Sequence, residues 1–363
     1  MTSRDGVRGA GGGLPGRRGL LLAGASAVLL GSAGCSSSGV RRETATASSA
    51  GQPAQSGQPG QPGQTGPAGT TPEATAAPSA PTGTPTALPR PQPWQPGPSD
   101  VQPDVKRRAV ELVTAIGSWP AGGQGADAAK ARVAALGLPP GLVDQAGPLA
   151  PAADEAALEV IVAQYGGILA GSASVLVVCR QWTRGPDGSV VEGGTTVDVR
   201  LSRAQPRWTV TDLLPGDPGA PAAAPSPAVG QVLAQPRIQL PPEAAADLRS
   251  GTVHDSVPRA MLQLAGGYQL YVSVVRSGHP LDVFGTTRPS DHPRGRAFDV
   301  WRIDGRAVVD PATPRQLIES FMRDAAAAGS YNVGGPIALS GGTGNQFFTD
   351  DTHHDHVHIG FTS

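Results

Sequence analysis

Five of the seven histidines in this 363-residue chain fall in two short segments near its C-terminus. The first is Ser290-Asp291-His292-Pro293-Arg294-Gly295-Arg296-Ala297-Phe298-Asp299, and the second is His353-His354-Asp355-His356-Val357-His358-Ile359-Gly360-Phe361. Imidazole and carboxylate are good zinc ligands, and a catalytic zinc keeps three protein ligands and leaves a fourth position open. His292 is expected on a loop and Asp299 on a strand begun by Ala297-Phe298. Side chains alternate along a strand. Val357 and Ile359 therefore point one way on a last strand, and His356 and His358 the other. Two imidazoles on one strand face beside Asp299 on a neighbouring strand make a compact ligand set. The chemistry of such a set is metal-assisted hydrolysis.

Ser290, His292, Gly295, Ala297 and Asp299 match the pattern Ser-x-His-x-x-Gly-x-Ala-x-Asp without a gap. With a later His-x-His, this resembles the zinc peptidases that include D-Ala-D-Ala carboxypeptidases, lysostaphin-type endopeptidases and the hedgehog signalling domain. The resemblance covers residues 241–363. It implies Zn2+ held by His292, Asp299 and His358, and hydrolysis of amide bonds in peptidoglycan stem or bridge peptides. A zinc-containing binding module without turnover is the alternative that the hedgehog branch permits. The carboxypeptidase branch carries a Glu three residues before the last His as general base. Here that place holds Asp355, one methylene shorter, and His356 is a rival for the role. Arg276 and Arg288 are candidates to polarise the substrate carbonyl or hold a carboxylate. His353 and His354 are expected as loop or gate residues, and Asp350 and Asp351 as solvated loop charges.

The elements that must position these residues follow from periodicity. Residues 243–249 and 257–264 predict helix pieces broken near Gly251. Residues 267–275 predict a strand with Tyr268, Leu270, Val272 and Val274 on its apolar face. Residues 315–328 form a helix whose stripe is Leu317, Ile318, Phe321 and Met322. The glycines of Asn332-Val333-Gly334-Gly335-Pro336 and Gly341-Gly342-Thr343-Gly344 are read as tight turns. Phe298 and Trp301 are expected in the core.

Upstream, residues 101–215 predict a smaller α+β domain. Helices are expected over 105–119, 126–136 and 154–169, then strands over 174–183, 193–201 and 207–213. Helices followed by a curved antiparallel sheet resemble the cone-like nuclear-transport-factor-2 fold. That domain shows no cluster of His, Cys or carboxylates. Residues 216–240, rich in Pro, Ala and Gly, are expected as a linker. The fold class is thus α+β: a C-terminal antiparallel sheet with flanking helices, preceded by the smaller domain.

The N-terminus is an address. Arg4, Arg8, Arg17 and Arg18 precede a short apolar run that ends in Gly31-Ser32-Ala33-Gly34-Cys35. Small residues before a Cys resemble the lipobox of bacterial lipoproteins, although Ser32 stands where that motif usually has Leu. Arg17-Arg18 loosely resembles a twin-arginine export signal. Residues 1–34 are expected as signal peptide and Cys35 as the lipidated residue, with the protein on the outer face of the membrane toward the wall. Residues 36–100 are Pro, Gly, Ser, Gln, Thr and Ala with few large apolar side chains, a composition that does not offset chain entropy. They are expected as a disordered tether that reaches roughly 45 Å. A formal net charge of −1 points away from nucleic acid. The second cysteine, Cys179, sits in an apolar run and is expected as a buried thiol.

Overall fold

The computed structural model describes residues 87–363. The signal segment, Cys35 and most of the expected tether lie outside the described residues. The end of that tether, residues 87–100, packs onto the protein instead. Leu88 is buried and Trp94 lies against the core. Asp100 bonds Lys106 and is almost wholly buried. The few apolar side chains at this end of the tract suffice to anchor it.

The first lobe begins with α1 (Pro103–Gly117) and α2 (Ala126–Ala135), both within two residues of expectation. Five antiparallel strands follow: β1 (Glu155–Ile168), β2 (Ser172–Arg184), β3 (Val190–Gly193), β4 (Thr196–Ser202) and β5 (Thr209–Pro215). Their order is β1-β2-β4-β5, with β3 also on β2. The helix expected over residues 154–169 is β1. Leu158, Ile161 and Val162 fit a helical spacing, yet the segment pairs with β2 along its length. Two bulges, between Val160 and Val162 and between Tyr165 and Gly167, shift the phase of the alternation and hide the period of two. Val105, Leu112 and Ile116 of α1 pack on Val175, Val177 and Leu201 of the sheet, and Cys179 is fully buried among them.

The segment expected as a linker carries structure. Residues 227–234 form α3 (Pro227–Ala234), and β6 (Ile238–Gln239) follows. Val229, Val232 and Ile238 are buried, so this apolar triplet outweighs the surrounding Pro and Ala. The second lobe continues with α4 (Pro242–Arg249), α5 (Ser256–Ala265), β7 (Leu270–Val272), β8 (Ala297–Ile303), β9 (Arg306–Ala307) and α6 (Arg315–Ala327). It ends with β10 (Asn332–Gly334), β11 (Phe347–Phe348) and β12 (Val357–Gly360). The strand order is β11-β10-β12-β8-β7-β6, with β9 on β8. This sheet is mixed rather than antiparallel throughout, because β10–β11 and β6–β7 pair in parallel. Residues 332–334, expected as a turn, are strand. Gly334 there lets the Phe348 ring and His353 approach where a Cβ would lie within 3 Å of both.

The protein is thus mixed α+β, and its two sheets are stacked. Helices α3 to α6 cover the face of the second sheet that presents Phe298, Val300, Val357 and Ile359. The opposite face meets the first lobe: Val162, Leu176 and Val178 pack with Val274, and Trp301 lies against them. Among the described residues no helix is long and apolar enough to cross a membrane.

Candidate metal centre

Asp299 and His358 sit directly opposite each other on β8 and β12. Side chains of directly opposed residues project from the same face, so the alternation that sends Phe298, Val300, Val357 and Ile359 into the helical core sends these two toward the first lobe. His292 arrives from the loop before β8. Its Nδ1 lies 2.8 Å from the Val275 carbonyl. That contact leaves Nε2 facing Asp299. Gly295 closes that loop, with its amide on the His292 carbonyl at 2.8 Å and φ at 69°. A Cβ on Gly295 would stand 2.2 Å from the Thr252 carbonyl oxygen. Gly295→Ala is therefore expected to lose more than the roughly 1–2 kcal/mol of the left-handed backbone alone, read as a lower urea midpoint with unchanged slope.

Three donor atoms converge here. His292 Nε2 is 3.1 Å from Asp299 Oδ1 and 3.0 Å from His358 Nδ1, and His358 Nδ1 is 3.1 Å from Asp299 Oδ1. His279, His292 and Asp299 also form a group able to hold a metal ion, with ligand atoms all within 4.8 Å of one another. The charge states suit a cation. Burial pushes the Asp299 carboxyl up, but His292 and His356 outweigh it and hold it well below the usual carboxylate range. Burial lowers His358 to about 4, against the hydrogen bond that its ring makes to Asp299. Burial, with His292 beside it, likewise keeps His279 neutral.

Asp355 and His356 form a coupled pair beside this group. His356 Nδ1 lies 2.6 Å from Asp355 Oδ1, and His356 Nε2 lies 3.6 Å from Asp299 Oδ2. Burial lowers the proton affinity of His356, but Asp299 and Asp355 raise it further. Both oxygens of Asp355 are engaged, because Oδ2 takes Lys106 Nζ at 2.5 Å and the Tyr165 amide at 3.2 Å. A cavity of about 430 Å³ opens over the cluster, lined by His292, His356, His358, His279, His353 and Arg288 among others. Asp355 is not in its wall. Arg288 stands exposed at the mouth, as do Asp350 and Asp351.

The structure does not bring Arg276 to this cavity. Its Nη2 donates to the carbonyls of Asp217 and Pro218 at 3.0 and 2.9 Å, and its Nε faces Asp247. It fastens the chain there to α4, because Asp247 of that helix receives it. His354 is likewise turned away, with Nε2 on the Ser99 carbonyl at 2.7 Å. His353 lies in the cavity wall, held by Asp350 at 2.7 Å.

Sequence reading missed Lys106, Gln164 and Tyr165, all from the first lobe. One signal was present for Lys106: it is one of two lysines in the chain, set beside the apolar Val105 of α1. Comparison with known proteins returns no match, whether among family models, curated proteins or solved structures.

Proposed function

We propose that this chain is an exported zinc-dependent peptidase that hydrolyses amide bonds in peptidoglycan peptides, with zinc held by His292, Asp299 and His358. The observation that carries the reading is the near-equilateral triangle of their donor atoms, 3.0–3.1 Å on each side. Ligands about 2.0–2.1 Å from a tetrahedral zinc stand roughly 3.3–3.4 Å apart. Val275 takes up His292 Nδ1, so Nε2 is the ring nitrogen presented to the other two donors. A cation among the three would be met by all of them at once.

His279 is the rival third ligand, and the geometry favours His358. The His279 ring stacks on His292 at 4.1 Å between centroids and 16° between planes. Lone pairs in two parallel, offset rings do not converge on one point. The His358 ring is tilted 56° to His292, with its Nδ1 aimed at the same place. We read His279 as a packing partner of His292.

Zinc, when bound, supplies Lewis acidity that polarises an amide carbonyl and makes water more acidic. The chain's own residues supply the proton traffic. His356 lines the cavity and is the group placed to move a proton between water and the leaving amine. Asp355 holds its Nδ1 and fixes the tautomer. This arrangement favours His356 over Asp355 as the base, since both oxygens of Asp355 are occupied and it lines no part of the cavity. Arg288, exposed at the mouth, is placed to hold a substrate carboxylate. The lipobox-like segment and Cys35 support a lipid-anchored location facing the wall, where such peptides are found.

Purified protein is expected to carry about one zinc per chain, the load of a single three-ligand site. By elemental analysis His292→Ala and His358→Ala lose the metal, while His353→Ala and His279→Ala keep it. Loss in His279→Ala with retention in His358→Ala would reverse the ligand assignment. The test of function is zinc-loaded protein incubated with defined muropeptides and read by mass spectrometry. Full zinc with no cleaved peptide in any of them would leave a binding module.

A further inference from the structure

Both carboxylates of the site are also held by groups from the other lobe. Gln164, on β1, is fully buried. Its Nε2 donates to Asp299 Oδ2 at 2.7 Å, and its Oε1 has no hydrogen-bond partner. Burying an amide with an unsatisfied acceptor is unfavourable. Among the described residues, the side-chain hydrogen bond that offsets this is the one to Asp299.

What the contact does follows from the carboxylate. Oδ1 faces His292 and His358, and Oδ2 is fixed by Gln164. A carboxylate free to rotate about its terminal bond would exchange the two oxygens. It would also be free to close on His356 Nε2, which stands only 3.6 Å from Oδ2. The amide prevents both. The bulge between Val160 and Val162 gives Gln164 its aim, because it sets Val162 and the residue two further on toward the second sheet.

We propose that Gln164 is a positioning residue of the metal centre, so that the site is built by both lobes and residues 241–363 do not hold the whole of it. The inference rests on the reading of His292, Asp299 and His358 as metal ligands. It extends that reading by assigning the first lobe a part in metal affinity.

The test uses the full chain, with Co2+ titrated to follow its visible absorption and Zn2+ affinity measured by competition with a chelator. Gln164→Leu and Gln164→Met keep the bulk and remove the donor. Each is expected to weaken binding about 10- to 100-fold, the usual effect of losing a partner that orients a ligand. Each should also change the Co2+ band, which a loss of packing alone would not do. The metal-free unfolding midpoint is expected to fall, since Asp299 Oδ2 loses its donor and removal of the unsatisfied acceptor offsets this only in part. Wild-type affinity and an unaltered band in both variants would overturn the inference while leaving the metal site intact. A parent chain that takes up neither ion would overturn the metal site itself, and the inference with it. If neither variant folds, hydrogen exchange of the parent decides: peptides from residues 155–168 gain protection when zinc is added, and unchanged exchange refutes the coupling.

Discussion

His356→Ala is expected to retain one zinc per chain and to lose at least about 10²-fold in kcat on a muropeptide substrate, the scale of a lost general base. KM should move little, because the ring handles a proton rather than holding substrate. Asp355→Asn should fall as far or further, between roughly 10² and 10⁴, as when an orienting carboxylate is replaced and the wrong imidazole tautomer is stabilised. The two losses should not add, since both residues act through one ring. Asp355→Glu separates the two roles. Asp355 is enclosed by His356 Nδ1, Lys106 Nζ and the Tyr165 amide. An added methylene has no room there and should reduce activity if the residue orients His356. Full activity in Asp355→Glu together with a mild His356→Ala would make Asp355 itself the base.

Lys106→Met is expected to cost about 3–5 kcal/mol of stability, the effect of leaving buried charge without its partner. Lys106 is 1% exposed and bonds both Asp100 and Asp355, which are buried as well. Burial alone would lower its pKa, but Asp355 and Asp100 outweigh it and keep the ammonium charged. The loss should be read from urea unfolding at neutral pH. Adding Asp355→Asn to Lys106→Met should restore part of it, because one of the stranded carboxylates is gone. A double variant less stable by the full sum of the two single losses would mean that the pair is not coupled.

The same pair sets an acid limit. Burial raises the Asp355 carboxyl, yet Lys106 and His356 outweigh burial and hold it at about 2. An unfolded Asp titrates at about 3.9. A folded value below the unfolded one means that the stabilisation is full above about pH 4 and is lost as pH falls toward 2. In Lys106→Met the cation that lowers the carboxyl is absent, so the loss should begin at higher pH. Identical acid profiles for the two proteins, corrected for the neutral-pH difference, would contradict this.

Much of the site was legible because its signals are local. His292 and Asp299 lie seven positions apart around one tight turn, and Gly295 marks the turn by its left-handed backbone. The alternation of Val357 and Ile359 with His356 and His358 is a property of four consecutive residues. Helices α1 and α6 carry their apolar stripes within single segments. What tertiary structure decided are relations between segments that carry no mutual mark. The spacing of β1 fits a helix as well as a strand, and only pairing with β2, with its two bulges, resolves it. Arg276 looked available from its neighbours, but Asp247 and the Asp217 and Pro218 carbonyls claim it. Residues 216–240 have the composition of a linker, and three buried side chains make part of them core. Gln164 meets Asp299 across 135 positions, and Lys106 meets Asp355 from an otherwise apolar helix face. Such contacts arise when two sheets stack and bury what lies between them. A buried polar group must then find a partner wherever the fold has put one, and periodicity within a segment carries no record of which partner that is.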